Sequence, residues 1–136
     1  MAGSMNVKFQ GEDLETGETL HGVLTWIPEK DGNIKGIAVS FGWRTEGRGD
    51  TTSDRVATMA LAGGPVHAGQ AVRCPFALPV PVLAPPSYDG SILRIIWELA
   101  IAIDIPWAID ARTTVPVQVL SVGTRARRTT AVASPA

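Results

Sequence analysis

Apolar residues recur at alternate positions along much of the chain, the period of a strand with one buried face. "TLHGVLTWI" (19–27) puts Leu20, Gly22, Leu24 and Trp26 on one face and His21, Val23, Thr25 and Ile27 on the other. Pro28 and "DGN" (31–33) then predict a turn. "IKGIAVSFGW" (34–43) aligns Ile37, Val39, Phe41 and Trp43 opposite small residues. "RVATMAL" (55–61) reads as a short strand and "AGGP" (62–65) as a turn. "QAVRCPFAL" (70–78) aligns Val72, Cys74, Phe76 and Leu78, and the prolines at 79, 81, 85 and 86 make 79–86 an extended loop. The most apolar stretch, 91–105, fits a helical face through Ile92, Ile95, Ile96, Leu99 and Ile103. It fits a strand face more fully, from Leu93 through Ile95, Trp97, Leu99, Ile101 and Ile103 to Ile105, with Arg94, Glu98 and Asp104 opposite. Its β-branched isoleucines favour a long strand. "TVPVQVL" (114–120) is a last strand, with Pro116 marking an edge.

Ten prolines and fourteen glycines leave little room for long helices. Six or seven short strands at this spacing predict an all-β fold, an immunoglobulin-like antiparallel sandwich. A chain of 136 residues suits one domain, with 45% hydrophobic and 18% charged residues placing it among globular proteins. The expected organisation is an expression scar or start at 1–5, a sandwich over 6–120 and a loose basic tail over 121–136. That tail carries Arg125, Arg127 and Arg128 and no acid. Its simplest reading is a solvated segment; weak contact with anionic lipid or nucleic acid is the alternative.

The net charge of −1 gives no global attraction to nucleic acid. The single cysteine, Cys74, excludes an internal disulfide and fits a reducing compartment. Ile92–Ile105 is too short and too charged to span a bilayer, and "MAGSM" lacks the features of a signal peptide. A soluble, cytoplasmic protein is expected.

No catalytic constellation emerges. His21 and His67 lack ligand-spaced neighbours, and Cys74 reads as a buried, inert thiol. "GWRTEGRGDTTSD" (42–54) lacks the Lys-Ser/Thr of a phosphate loop, and Arg48-Gly49-Asp50 has no export signal to make it an adhesion motif. Asp50 and Asp54 belong to what reads as a solvated loop, 44–54. Trp43 and Trp97 fit the core, whereas Trp26 and Trp107 sit near strand ends, as caps or as partner contacts. No cofactor and no metal are predicted.

The order of segments resembles a single arrestin-like domain over roughly residues 7–120. "TGETLHGVLTW" looks like the family's first motif, carried by Gly17, Glu18, Leu20, Gly22 and Val23. "CPFALPVPVLAPPSYDGSILRIIWEL" is similar to its second, running from Leu-Pro through Pro86, Ser87, Tyr88 and Gly90 into a long apolar strand with Trp97. The "DIPWA" that follows resembles related bacterial sequences. The resemblance implies a β-sandwich that acts as a non-enzymatic adaptor or scaffold for a protein partner. Eukaryotic arrestins pair two such domains and this chain holds one, with a basic rather than an acidic tail, so phosphoreceptor sensing is not implied.

Pro85-Pro86-Ser87-Tyr88 also matches the P-P-x-Y pattern bound by WW domains. In the family-like reading it is a built-in corner, with Asp89-Gly90 turning the chain and Tyr88 packing at the sheet end. Interaction is expected in 44–54, where Arg44, Arg48 and Asp50 are the candidate contacts, in 62–70, or at the edge strand near Pro116, which would also allow an edge-strand homodimer. The alternative is a membrane-associated regulatory domain whose anchor lies outside this chain, with the basic tail as its own lipid contact. An enzyme using the polar face of 91–105 would need a deep polar pocket.

Overall fold

The computed structural model describes residues 3–10, 14–48, 51–106 and 111–124. It contains β1 (Gly3–Phe9), β2 (Thr19–Pro28), β3 (Gly32–Gly47), β4 (Ser53–Val66), β5 (Val72–Pro79), β6 (Tyr88–Asp89), β7 (Leu93–Asp104) and β8 (Ala111–Val117). These form two antiparallel sheets. The smaller runs β1-β2-β5; the larger runs β4-β3-β7, and β6 and β8 lie end to end along the far side of β7.

The alternation in the sequence explains the two-layer packing. Leu20, Leu24 and Trp26 of β2 and Cys74, Phe76 and Leu78 of β5 are buried from one side. Val39 and Phe41 of β3 and Trp97, Leu99, Ile101 and Ile103 of β7 meet them from the other. The rings of Phe41 and Trp97 sit 4.9 Å apart and tilted by 36°. The strand expected over 91–105 is present as β7, and its odd-numbered positions from Trp97 point inward. Trp26 is no end cap: its parity continues Leu20 and Leu24, so it is fully buried in the core. Trp43 lies opposite Trp97 and is half-buried. Trp107 lies outside the described residues.

Three segment boundaries also change. Both ends of the expected 44–54 loop are strand: Arg44, Thr45, Glu46 and Gly47 extend β3 against Ile96, Ile95, Arg94 and Leu93 of β7, and β4 begins at Ser53. Polar side chains form a strand here because their charges pair across it. Residues 62–65 are not a turn; β4 continues to Val66. Gly63 is required instead by close approach, since a Cβ there would stand 1.9 Å from the Ile34 carbonyl oxygen. The chain turns after Val66, where Gly69 has φ +78° and its N–H donates to the Pro28 carbonyl at 3.0 Å. Residues 3–5, expected to stand outside the sandwich, pair with Pro28, Ile27 and Trp26 as the start of β1.

Candidate interaction surface

The corner that follows the proline loop is built from β7 outward. Trp97 is 1% exposed, and its indole Nε1–H donates to the Pro85 carbonyl at 2.8 Å. Ser87 uses both its groups on one residue. Its N–H donates to the Val119 carbonyl at 2.7 Å, and its hydroxyl oxygen accepts from Val119 N–H at 2.8 Å. Pro86 sits between these ties, half-buried. Tyr88 pairs with Ile95 and leaves its ring exposed, folded over Gly90; a Cβ on Gly90 would lie 2.4 Å from that ring. Pro85–Ser87 is thus held at three points within the fold, whereas a WW ligand needs a free polyproline-type segment.

Gly17 and Gly22 serve the smaller sheet. Gly17 has φ +89° and lies under a γ-methyl of Val82, so a side chain is disfavoured twice over. Gly22 leaves room for Phe76, whose ring would stand 2.5 Å from a Cβ placed there.

Arg44 faces the outer side of the larger sheet, where its guanidinium pairs with Glu46 and Glu98. Arg94 continues the row, 3.4 Å from Glu46 and 3.0 Å from Asp89. The bonds of Arg44 to Glu46 and then to Glu98 push its pKa up, and the bond from Arg44 holds the Glu46 carboxyl below the usual range. Arg44 is therefore engaged within the sheet rather than presented by a loop. Arg48 is exposed just past β3, and Asp50 lies outside the described residues. Of the three candidate contacts, the described residues are therefore Arg44, paired within the sheet, and Arg48, exposed. Cys74 is buried, and burial raises its thiol pKa. Among the described residues no group of three or more His, Cys, Asp or Glu is placed to hold a metal ion, and no helix is long and apolar enough to cross a membrane.

The exposed edges differ in chemistry. β5 carries Arg73, Pro75 and Pro79, and β8 carries Arg112 and Pro116, residues that discourage a further strand. β4 is paired with β3 alone and has neither charge nor proline from Val56 to Gly64. It forms the longest uncharged run on any edge strand described. Beside it, the outer face of the larger sheet forms an open trough of about 660 Å³ floored by Ala38, Ser40, Ala60, Ala100 and Ala102, with Arg55 and Arg112 among its lining. Sequence reasoning missed this edge because "AGGP" resembles a turn. The available signal was the uncharged stretch "VATMALAGG" between Asp54-Arg55 and Pro65.

Neither a family model nor a curated protein matches the sequence. Among solved structures the chain is similar to Spo0M, a sporulation control protein from Bacillus subtilis. The TM-score is 0.73 and the identity 15%, over 89% of this chain and 50% of that one. The chain thus spans about half the length of that protein. At this identity the likeness establishes the fold alone, and with the two antiparallel sheets it identifies that fold as an arrestin-like β-sandwich.

Proposed function

We propose that this chain is a member of the arrestin-like family and works as a non-enzymatic protein-interaction module, an adaptor or scaffold of the cytoplasm that docks an extended partner segment along β4. The observation that carries this reading is the open edge of β4, hydrogen-bonded on one side only and free of charge and proline over the nine residues from Val56 to Gly64. Strand addition satisfies the free backbone groups of such an edge, and the partner's alternate side chains supply specificity. The small residues of the adjoining trough let a partner's side chains lie close to the sheet. A second copy of the chain is one candidate partner, since antiparallel pairing of two β4 edges generates a closed two-fold dimer.

Lysine substitution at an exposed edge position is a test, because a flanking charge disfavours a further strand. Ala60 is exposed, and Ala60→Lys leaves the core untouched. In pull-downs from the native host and in sedimentation analysis, Ala60→Lys should lose a partner or a dimer that Ala77→Lys, exposed on the β5 edge of the other sheet, retains. Identical partners and identical mass for both variants and the parent would reject docking at β4.

A further inference from the structure

Hydrogen bonding along β3 fixes which residues of β4 face the open edge. β3 keeps an unbroken register with β7, so the irregularity between Phe41 and Gly42 is an extra residue on β4, Val56. Thr45 N–H donates to the Thr52 carbonyl at 2.8 Å, which turns the odd-numbered backbone groups of β3 towards β4. Val39 and Ile37 therefore bond to Met59 and Leu61, the residues opposite them. The backbone groups of Thr58, Ala60 and Ala62 aim at the open side, where no described strand receives them.

Side chains alternate along the same stretch. Thr58, Ala60 and Ala62 are exposed on the outer face, whereas Met59 and Leu61 are half-buried and pack against the margin of the core. A strand added here continues the inner layer if it sets apolar side chains opposite Met59 and Leu61. β4 is itself such a strand. Its run without charge or proline, Val56–Gly64, is centred on Ala60. Antiparallel pairing about a two-fold axis at Ala60 lays that run on its own copy. Met59 of each chain then meets Leu61 of the other, and Thr58 meets Ala62. Asp54 and Arg55 are carried to the far ends, towards Val66 and Pro65 of the other copy. An axis nearer Arg55 would bring two arginines together, and one nearer Pro65 would bring in a residue with no N–H to give. The uncharged strip is thus its own complement, in charge and in the alternation of large and small residues.

We propose that the occupant of the β4 edge is a second copy of this chain, paired antiparallel about a two-fold axis at Ala60, so that the larger sheets of two copies join into one. This rests on docking at β4 and names its partner. The interface is isologous and closes on itself, which limits the assembly to two chains at this edge. It also sets the alanine-floored troughs of the two copies side by side on one outer face, with Ala60 of each at the seam.

The test is sedimentation equilibrium of the full chain over a range of concentrations, with a pair of charge variants on the axis. The parent should pass from monomer to dimer as concentration rises. Ala60→Lys sets two lysines opposite each other and Ala60→Glu two glutamates, so each alone should weaken self-association by roughly fivefold or more. Mixed in equal amounts, the two variants should associate at least as strongly as the parent, because opposite charges now meet. Recovery on mixing also shows that both variants fold. A dimer that neither variant weakens, or a mixture no stronger than either variant alone, would place the axis elsewhere and overturn this pairing. A parent that stays monomeric would overturn it outright. If that monomer captures another protein and loses it on Ala60→Lys, docking at β4 stands and self-pairing falls; if capture is indifferent to Ala60→Lys, both fall.

Discussion

β7 and β4 belong to one sheet and have similar lengths, twelve and fourteen residues, yet they do different work. β7 is paired on both sides and sends Trp97, Leu99, Ile101 and Ile103 into the core, none more than 1% exposed. β4 is paired on one side, and its inward residues Val56, Met59 and Leu61 are only partly buried. Within the larger sheet, burial is therefore concentrated at the centre. Its edge carries fewer packing constraints and more open backbone, the combination that a docking strand needs.

That contrast can be broken by mutation. Trp97→Ala should cost about 3–5 kcal/mol of stability, since it empties a core site and also frees the Pro85 carbonyl. Met59→Ala on β4 should cost about 1–2 kcal/mol, below the usual range for a buried methionine because part of the side chain is already in water. Denaturant midpoints at constant slope would measure both. Equal losses would erase the distinction between centre and edge.

The corner beside β7 sharpens the comparison. Ser87→Ala removes the oxygen that accepts from Val119 N–H and should cost about 1 kcal/mol by the same assay. An unchanged midpoint would mean that the corner contributes nothing to holding the proline loop. The ion-pair row on the outer face is a smaller effect still. Arg44→Ala should cost no more than about 1 kcal/mol, the range of exposed pairs. Its pH signature is more specific. Arg44 lowers the folded-state pKa of Glu46, so the stabilisation is present above the ordinary glutamate value of 4.5 and is lost as pH falls through the depressed one. The parent should therefore converge on Arg44→Ala as the solution is acidified through that window. A constant difference down to strongly acidic pH would remove Glu46 from the account. Ala60→Lys, on the exposed face of β4, should leave stability within about 0.5 kcal/mol of the parent, and a larger loss would show that this position is not free.

The central strands were the most legible part of the sequence. Period-two burial leaves an unmistakable trace when every inward residue is large, as from Trp97 to Ile103, and the same parity carried Trp26 into the core. The edges were harder to read. "RTEG" (44–47) looked like a loop because the partners of its charges, Glu98 and Arg94, lie about fifty residues away in the chain. Gly63 looked like a turn residue because sequence does not distinguish a glycine chosen for backbone freedom from one chosen for a close neighbour. The corner at 85–90 was legible as a corner, but its ties to Val119 and Trp97 were not, since hydrogen bonds between distant segments leave no local pattern. Leu83, 97% exposed, illustrates the same limit from the other side: an apolar residue between prolines gives no sign of whether it points inward or out.

The most direct test of the β4 account is amide hydrogen exchange, read by mass spectrometry, on the chain alone and on its complex with a partner or second copy captured by the parent but not by Ala60→Lys. Strand addition predicts new protection confined to the free edge of β4, across residues 56–64, with β8 unchanged. Protection at β8 or in the loops, with β4 exchanging as it does in the free chain, would contradict it.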